Sequence, residues 1–440
     1  MPRRLAFPWL LCAASAAGAP ASSAGADASP VSPPPPTPSR GCQAKQSLPT
    51  GQPLKMTMPL EDPALFNRFR DYYLYLPGKF ANDKPLPVFF MFHGFYNTAQ
   101  HLQTMNALMY MANQTGDFIV VHPQAMEDCG KPNCEEMGAW NAGGTSQSPG
   151  PMGPTCDQDR STFGHYPCYT SCQSGPGSLA PQGCRDKCSS SSCVNDTLFF
   201  EALLDHVEDT LCVDRRRMHV GGMSVGGVMA YSMLSKFAGR LASGLPVAGS
   251  ALLGFWHPPQ HPIALMDIHG YMDNTIPANL SNGFRWPHRK APHGGVFSND
   301  GFYYTPNIEL TSSVAAANGC AGGPLPWPTP QDGSAEWHCL QPHGACASGQ
   351  PVVRCVWNGN HMLPFRGPGI NKDLKRWYKM HVFGRIAWQW FKDRSLAQEP
   401  PPRRSEHAVH MATLSQVLPM PDDWETHVSD ESEEGDEIIV

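Results

Sequence analysis

Short apolar runs alternating with helix-patterned segments restrict this chain more than any other feature. Residues 86–92 read Leu-Pro-Val-Phe-Phe-Met-Phe, and Phe118, Ile119, Val120 and Val121 form a second run of the same kind. A strand is apolar on both parities only when both of its faces are covered, so these runs predict strands inside a layered fold. Residues 71–77 alternate like a strand with one covered face, and shorter strand signals recur at 218–220, 245–253, 263–268 and 353–357. Between them, residues 102–112, 196–211, 226–237 and 376–391 read as helices, with Asp196 suited to cap the second. The alternation predicts an α/β class: a mostly parallel sheet with helices on both faces.

The 440 residues are ample for one large domain of this kind. Arg3 and Arg4 precede an alanine-rich apolar run and then small residues, the layout of a secretory signal peptide ending near residue 26. Residues 27–54, which include a Pro/Ser-rich stretch, read as a stiff linker with no apolar face to pack. Residues 55–395 are expected to form the folded domain, and residues 396–440 a disordered tail with an acidic end. No later stretch reaches 18 uninterrupted apolar residues, so no membrane contact is expected once the signal is removed. A formal net charge of −6 without basic clusters argues against nucleic acid as a partner.

Of the 15 cysteines, Cys12 would leave with the signal, and an even number would remain. Eight lie between Cys129 and Cys193, in a Ser-, Gly- and Pro-rich stretch without apolar periodicity. Such a segment cannot order itself by burial, so residues 129–193 read as an insertion stapled by disulfides. The spacings lack matched C-x2-C pairs, and a secreted context favours disulfides over a metal site. Neither a metal nor a cofactor is expected. Sequons at Asn113, Asn195 and Asn279 are glycosylation candidates that fit the same compartment.

The chemistry is signalled where the 218–220 strand meets the 226–237 helix. Gly222-Met223-Ser224-Val225-Gly226 is a G-x-S-x-G turn, in which small neighbours let a sharp bend lift a serine hydroxyl clear of the sheet. A serine needs a base, an acid to orient that base, and donors for the oxyanion. Asp273 follows the 263–268 strand and is preferred as the acid over Asp267, which lies within that strand. His361 follows the 353–357 strand on a Gly-containing loop and is preferred as the base. His257, His293, His338 and His343 lack a preceding strand and read as surface residues. The oxyanion donors are expected to be the backbone amides of Val225 and Phe95, with Tyr96 as the alternative to Phe95. His93 reads as a residue that shapes its loop through ring hydrogen bonds.

Several motifs occur together and in order: Phe92-His-Gly94, Trp140-Asn141, Val194-Asn-Asp196 with Phe200, and Asp214-Arg215. They continue as Gly221 to Gly227, His269-Gly-x-x-Asp273 with Pro277, and Gly359-Asn-His361 with Pro364. This set resembles the secreted feruloyl esterases, polyhydroxybutyrate depolymerases and acetyl xylan esterases of the first carbohydrate-esterase family, over roughly residues 70–392. The resemblance implies an α/β-hydrolase fold without a metal, with Ser224 as nucleophile, Asp273 as orienting acid and His361 as general base. One departure is the insertion, which places some fifty residues and six cysteines (Cys156 to Cys193) where family members have a short link. A lid and a substrate-recognition module are both open to it. Aromatic residues between 279 and 350, among them Trp286, Tyr303, Tyr304, Trp327 and Trp337, could wall a site or simply pack.

The expectation is therefore a secreted serine carboxylesterase working through an acyl-enzyme. Its partner would be an ester substrate, polysaccharide-linked (feruloyl or acetyl) or polymeric. Three alternatives are a polyhydroxybutyrate-type depolymerase, a non-catalytic extracellular binding protein keeping the hydrolase fold, and a peptidase of the same fold.

Overall fold

The computed structural model describes residues 34–45, 47–60, 69–127, 138–157, 168–173, 184, 188–278, 291–330, 337–364, 382–401 and 412–419. In chain order the strands are β1 (Pro53–Pro59), β2 (Phe69–Tyr75), β3 (Leu86–Phe92), β4 (Ile119–Pro123), β5 (Val213–Met223), β6 (Ser243–Val247) and β7 (Ala264–Gly270). Two short ones follow, β8 (Val296–Phe297) and β9 (Tyr303–Tyr304), then β10 (Cys320–Ala321), β11 (Leu325–Pro326), β12 (Trp337–Gln341), β13 (Ala345–Cys346), β14 (Val352–Trp357) and β15 (Thr413–Val417). The helices are α1 (Ala99–Met105), α2 (Leu108–Thr115), α3 (Asp196–Thr210), α4 (Val225–Phe237), α5 (Asn307–Ala317) and α6 (Phe383–Phe391).

The main sheet runs β11-β12-β14-β7-β6-β5-β3-β4-β2-β1-β15. Its six middle strands, β14 to β4, are parallel, and antiparallel strands extend both flanks. This is the α/β-hydrolase fold. Burial on β3 shows why its sequence is apolar at every position. Val88, Phe90 and Phe92 join a core with α3, α4 and α5, while Phe89 and Met91 join a second core with α1, α2 and α6. Successive side chains point to opposite faces, so each face receives its own layer of helices. From β3 the chain passes to β4 on one side and later returns to β5 on the other. That reversal opens a crevice at the carboxyl ends of β3 and β5, where such sheets bind ligands.

Several boundaries differ from the sequence expectations. The helix expected over 102–112 is two, α1 and α2, because Ala107 takes a left-handed conformation (φ 53°). The buried Asn106 fixes this break: its Oδ1 accepts from the Leu108 amide at 3.0 Å, and its Nδ2 donates to His122 Nε2 at 2.8 Å. The α3 cap is Asn195, which accepts from the Leu198 amide, and not Asp196. The strand expected over 245–253 ends at Val247, where Ala248 turns the chain with φ 48°. Of the helix expected over 376–391, only α6 falls among the described residues.

The expected signal peptide lies outside the described residues. The linker expected over 27–54 is corrected from Pro34 onward. Pro38 bridges Asp214, the disulfide Cys42–Cys212 clamps a short 3-10 turn at Arg40–Gln43, and Pro53 already begins β1. The tail is not disordered throughout either. The Leu396 amide donates to the Arg216 carbonyl, Glu399 pairs with Arg216 at 2.8 Å, and β15 caps the open edge of β1. An uncovered sheet edge presents unpaired backbone groups, and β15 satisfies those of β1.

Within the insertion, Cys156–Cys188, Cys168–Cys184 and Cys172–Cys193 are paired, while Cys129 and Cys134 lie outside the described residues. Further disulfides join Cys320 to Cys346 and Cys339 to Cys355. Among the described residues, no helix is long and apolar enough to cross a membrane.

Candidate active site

Ser224 sits between the end of β5 and the first residue of α4, at φ 61° and ψ −125°. A non-glycine residue adopts this conformation only when its surroundings enforce it. The Ser224 amide donates to the Val247 carbonyl at 3.0 Å, which anchors the turn to β6. Gly226 lets the turn pass under the end of β3: a Cβ there would stand 2.2 Å from the Phe92 carbonyl oxygen and 2.5 Å from that of His93. The loop after β3 approaches from the other side, so that a Cβ on Gly94 would lie 3.2 Å from the Ser224 Cβ. Phe95 and Tyr96 continue that loop, and Val225 opens α4.

Two more strand ends bring the remaining candidates to the serine. The Tyr271 and Met272 amides donate to the carbonyls of Trp357 and Gly359, each at 2.8 Å, which ties the loop after β7 to the loop after β14. Asp273 is buried there. Its Oδ1 accepts from the Thr275 and Ile276 amides at 2.9 and 3.0 Å, and its Oδ2 accepts from His361 Nδ1 at 2.9 Å. His361 Nε2 in turn accepts from Ser224 Oγ at 2.8 Å. The proton on Nδ1 is held by Asp273, so Nε2 presents a lone pair to the serine. Ser224 is largely buried, 9% exposed.

Asp267, the competing acid, is occupied elsewhere. Its carboxylate accepts from Tyr231 Oη at 2.8 Å and Asn307 Nδ2 at 2.9 Å and pairs with His269. Burial alone would disfavour the charged imidazole of His269, but the adjacent Asp267 carboxylate outweighs it and raises the His269 pKa. His257, His293 and His338 are exposed, and His343 is hydrogen-bonded to Ser312. His93 is fully buried: its Nδ1 donates to the Gly94 carbonyl at 2.8 Å, and its Nε2 accepts from the Ala125 amide at 3.0 Å. Burial lowers its pKa to about 4, so the ring is neutral and serves to shape the loop.

Three residues escaped the sequence reading. Arg70 on β2 forms a buried ion pair with Asp196 (2.6 Å), whose other oxygen accepts from the Asn141 amide at 2.7 Å. A charged residue in an otherwise alternating strand was its only signal. Asn307 binds Asp267 from the start of α5. Asp300 is buried in the turn between β8 and β9, accepting from Ser298 Oγ and the Phe302 amide. Burial raises its carboxyl pKa to about 6, against those two hydrogen bonds and the nearby His361. Of the aromatic candidates, Trp337 stacks on Trp357 and Trp327 meets Trp390 edge-on, so both pack rather than wall a site. Trp286 and the sequon Asn279 lie outside the described residues. Asn195 is exposed, and Asn113 is half-buried with its Oδ1 accepting from the Gly78 amide. Among the described residues, no group of three or more His, Cys, Asp or Glu side chains could hold a metal ion.

Fold and side-chain geometry define the class: an α/β hydrolase in which a serine, a histidine and an aspartate form one hydrogen-bonded chain. In sequence, the chain is similar to probable feruloyl esterase C of Aspergillus niger, with 28% identity over 166 residues, 38% of this chain and 50% of that protein. It is likewise similar to feruloyl esterase D of Neurospora crassa, with 26% identity over 198 residues, 44% of this chain and 54% of that protein. The chain thus spans about half the length of these curated relatives. A solved structure of acetyl xylan esterase from Aspergillus awamori aligns with a TM-score of 0.35 and 13% identity, covering 70% of this chain and 94% of that one. No family model matches the chain.

Proposed function

We propose that this protein is an extracellular serine carboxylesterase acting on feruloyl or acetyl esters of cell-wall polysaccharide. The observation that carries the reading is the unbroken hydrogen-bonded chain from Ser224 through His361 to Asp273. In this account Ser224 Oγ attacks the ester carbonyl carbon while its proton moves to His361 Nε2. Asp273 stabilises the imidazolium. The tetrahedral oxyanion is held by the backbone amides of Phe95 and Val225. Collapse expels the alcohol, which takes the proton from His361, and leaves the acyl group on Ser224. A water then gives a proton to His361 and attacks the acyl carbon, which releases the acid and restores the serine. The disulfides support an oxidising compartment, and with it the secretory reading of the N-terminus.

A polyester depolymerase is the second reading, favoured by the apolar residues flanking the site. Tyr96, Tyr271 and Met272 are 42%, 53% and 43% exposed on the loops that carry Phe95 and Asp273. Product analysis on feruloylated xylan, acetylated xylan and polyhydroxybutyrate separates the two. Release of ferulate or acetate with polyester untouched supports the first reading, and release of hydroxybutyrate alone replaces it.

A further inference from the structure

The cysteine-rich insertion packs onto the catalytic loops. Tyr169 and Cys172 are fully buried with Ala139 in a small apolar cluster, and Phe95, Cys168, Cys184 and Cys193 pack against it. The disulfides Cys168–Cys184 and Cys172–Cys193 therefore back the residue whose amide would bind the oxyanion. The cluster is tied to the same strand end by Trp140, which follows Ala139 and donates from Nε1 to the His93 carbonyl at 2.9 Å. It is also separate from the two large cores that hold the sheet and helices together.

The insertion reaches the acid loop as well. Asp157 donates its amide to Gly301 at 2.8 Å, and Tyr303 donates its own to Thr155 at 2.9 Å. From that turn, the Asn299 amide donates to the carbonyl of Asn274, the residue after Asp273, at 2.9 Å. The Cys156–Cys188 disulfide that fixes Thr155 to Asp157 belongs to the larger core.

We infer that Tyr169 and the Cys168–Cys184 and Cys172–Cys193 disulfides are positioning residues: they hold the Phe95 amide where the oxyanion develops. This rests on the esterase reading above. A segment as polar as the insertion gains little from burial, so cross-links must supply its rigidity. A loop that carries an oxyanion donor needs that rigidity, because small displacements of such donors are felt in the transition state and little in the bound substrate. Tyr169 and these two disulfides therefore act on turnover by backing the Phe95 loop rather than by touching the substrate.

The test uses the full secreted chain and the variants Cys168→Ala/Cys184→Ala and Cys172→Ala/Cys193→Ala, assayed on a soluble activated ester. The expected result is a fall in kcat of about tenfold to a hundredfold with KM within about threefold, while far-UV circular dichroism and a cooperative melt are retained. Cys320→Ala/Cys346→Ala, in the β10–β13 hairpin, should keep wild-type kcat. Tyr169→Ala reads the same contact with every disulfide intact, and Tyr169→Phe should restore kcat by refilling the cluster. The inference is overturned if folded double variants keep kcat within about twofold, or if KM rises with kcat unchanged, which would mark a substrate-contacting module. If the double variants fail to fold, normal kcat in Tyr169→Ala overturns it. Wild-type protein without ester hydrolysis would instead remove the esterase reading itself.

Discussion

Asp273→Asn is isosteric, yet the surroundings of Asp273 dictate which way the new amide must face. Two backbone amides, those of Thr275 and Ile276, donate to Oδ1. An amide NH2 cannot accept these bonds, so the asparagine oxygen takes the Oδ1 position and the NH2 the Oδ2 position. That NH2 then points at His361 Nδ1, 2.9 Å away in the wild type, where it can only donate. Nδ1 must become the acceptor, and the ring proton moves to Nε2, facing Ser224 Oγ. The base is lost with no change of shape. A serine hydrolase whose histidine is locked in the wrong tautomer loses about 10⁴ in kcat, equivalent to about 5 kcal/mol in the barrier. The assay is kcat on an activated ester at neutral pH, with KM and thermal stability as controls. A loss smaller than about tenfold in a folded variant would refute the tautomer argument and leave Asp273 a structural residue.

Gly226→Ala should cost at least about a hundredfold in kcat/KM, because its Cβ would meet the Phe92 carbonyl oxygen at 2.2 Å and shift the serine turn; circular dichroism should show the sheet intact. Asp196→Ala should destabilise the fold by about 3–5 kcal/mol in urea denaturation, since it leaves the Arg70 guanidinium buried without its counter-ion. Replacing both by apolar residues, Arg70→Met with Asp196→Leu, should recover much of that loss. Stability should also fall as the pH is lowered from about 6.5 toward 4. Burial holds His93 at about 4 and His122 at about 3, so in this window the unfolded chain binds protons that the native state refuses. His93 alone accounts for about 3 kcal/mol by pH 4. Asp300, its carboxyl raised to about 6 by burial, and His269, raised by the Asp267 carboxylate, oppose the trend, while His219, held well below its ordinary value by burial, acts with His93 and His122. Urea melts at pH 7, 5.5 and 4.5 measure the sum, and a flat or rising stability would contradict it.

What the sequence showed clearly was whatever burial on two faces imposes. The run Leu86–Phe92 is apolar at every position because each parity fills a different core, and its bounds match β3. Elements whose limits depend on distant partners were not legible. The break at Ala107 rests on Asn106 reaching His122, and nothing in the periodicity of 102–112 marks it. Asp196 and Asn195 are equally good capping types; Arg70, 126 residues upstream, draws Asp196 inward and leaves the cap to Asn195. The attachment of residues 34–45 depends on a Cys42–Cys212 pairing that composition cannot supply. At the candidate site, Ser224, Asp273 and His361 were legible as candidates because each follows a strand, and they form one hydrogen-bonded chain. Asp300 was not, because it comes from a two-strand hairpin too short to carry any periodic signal.

The central claim is that Ser224 is the nucleophile of an acyl-transfer reaction. Intact-mass analysis after treatment with a fluorophosphonate, followed by peptide mapping, tests it most directly. The account predicts one phosphonyl adduct per chain, located on Ser224 and absent from Ser224→Ala, which should also lose ester hydrolysis. An unmodified, correctly folded chain, or an adduct that persists in Ser224→Ala, would contradict it.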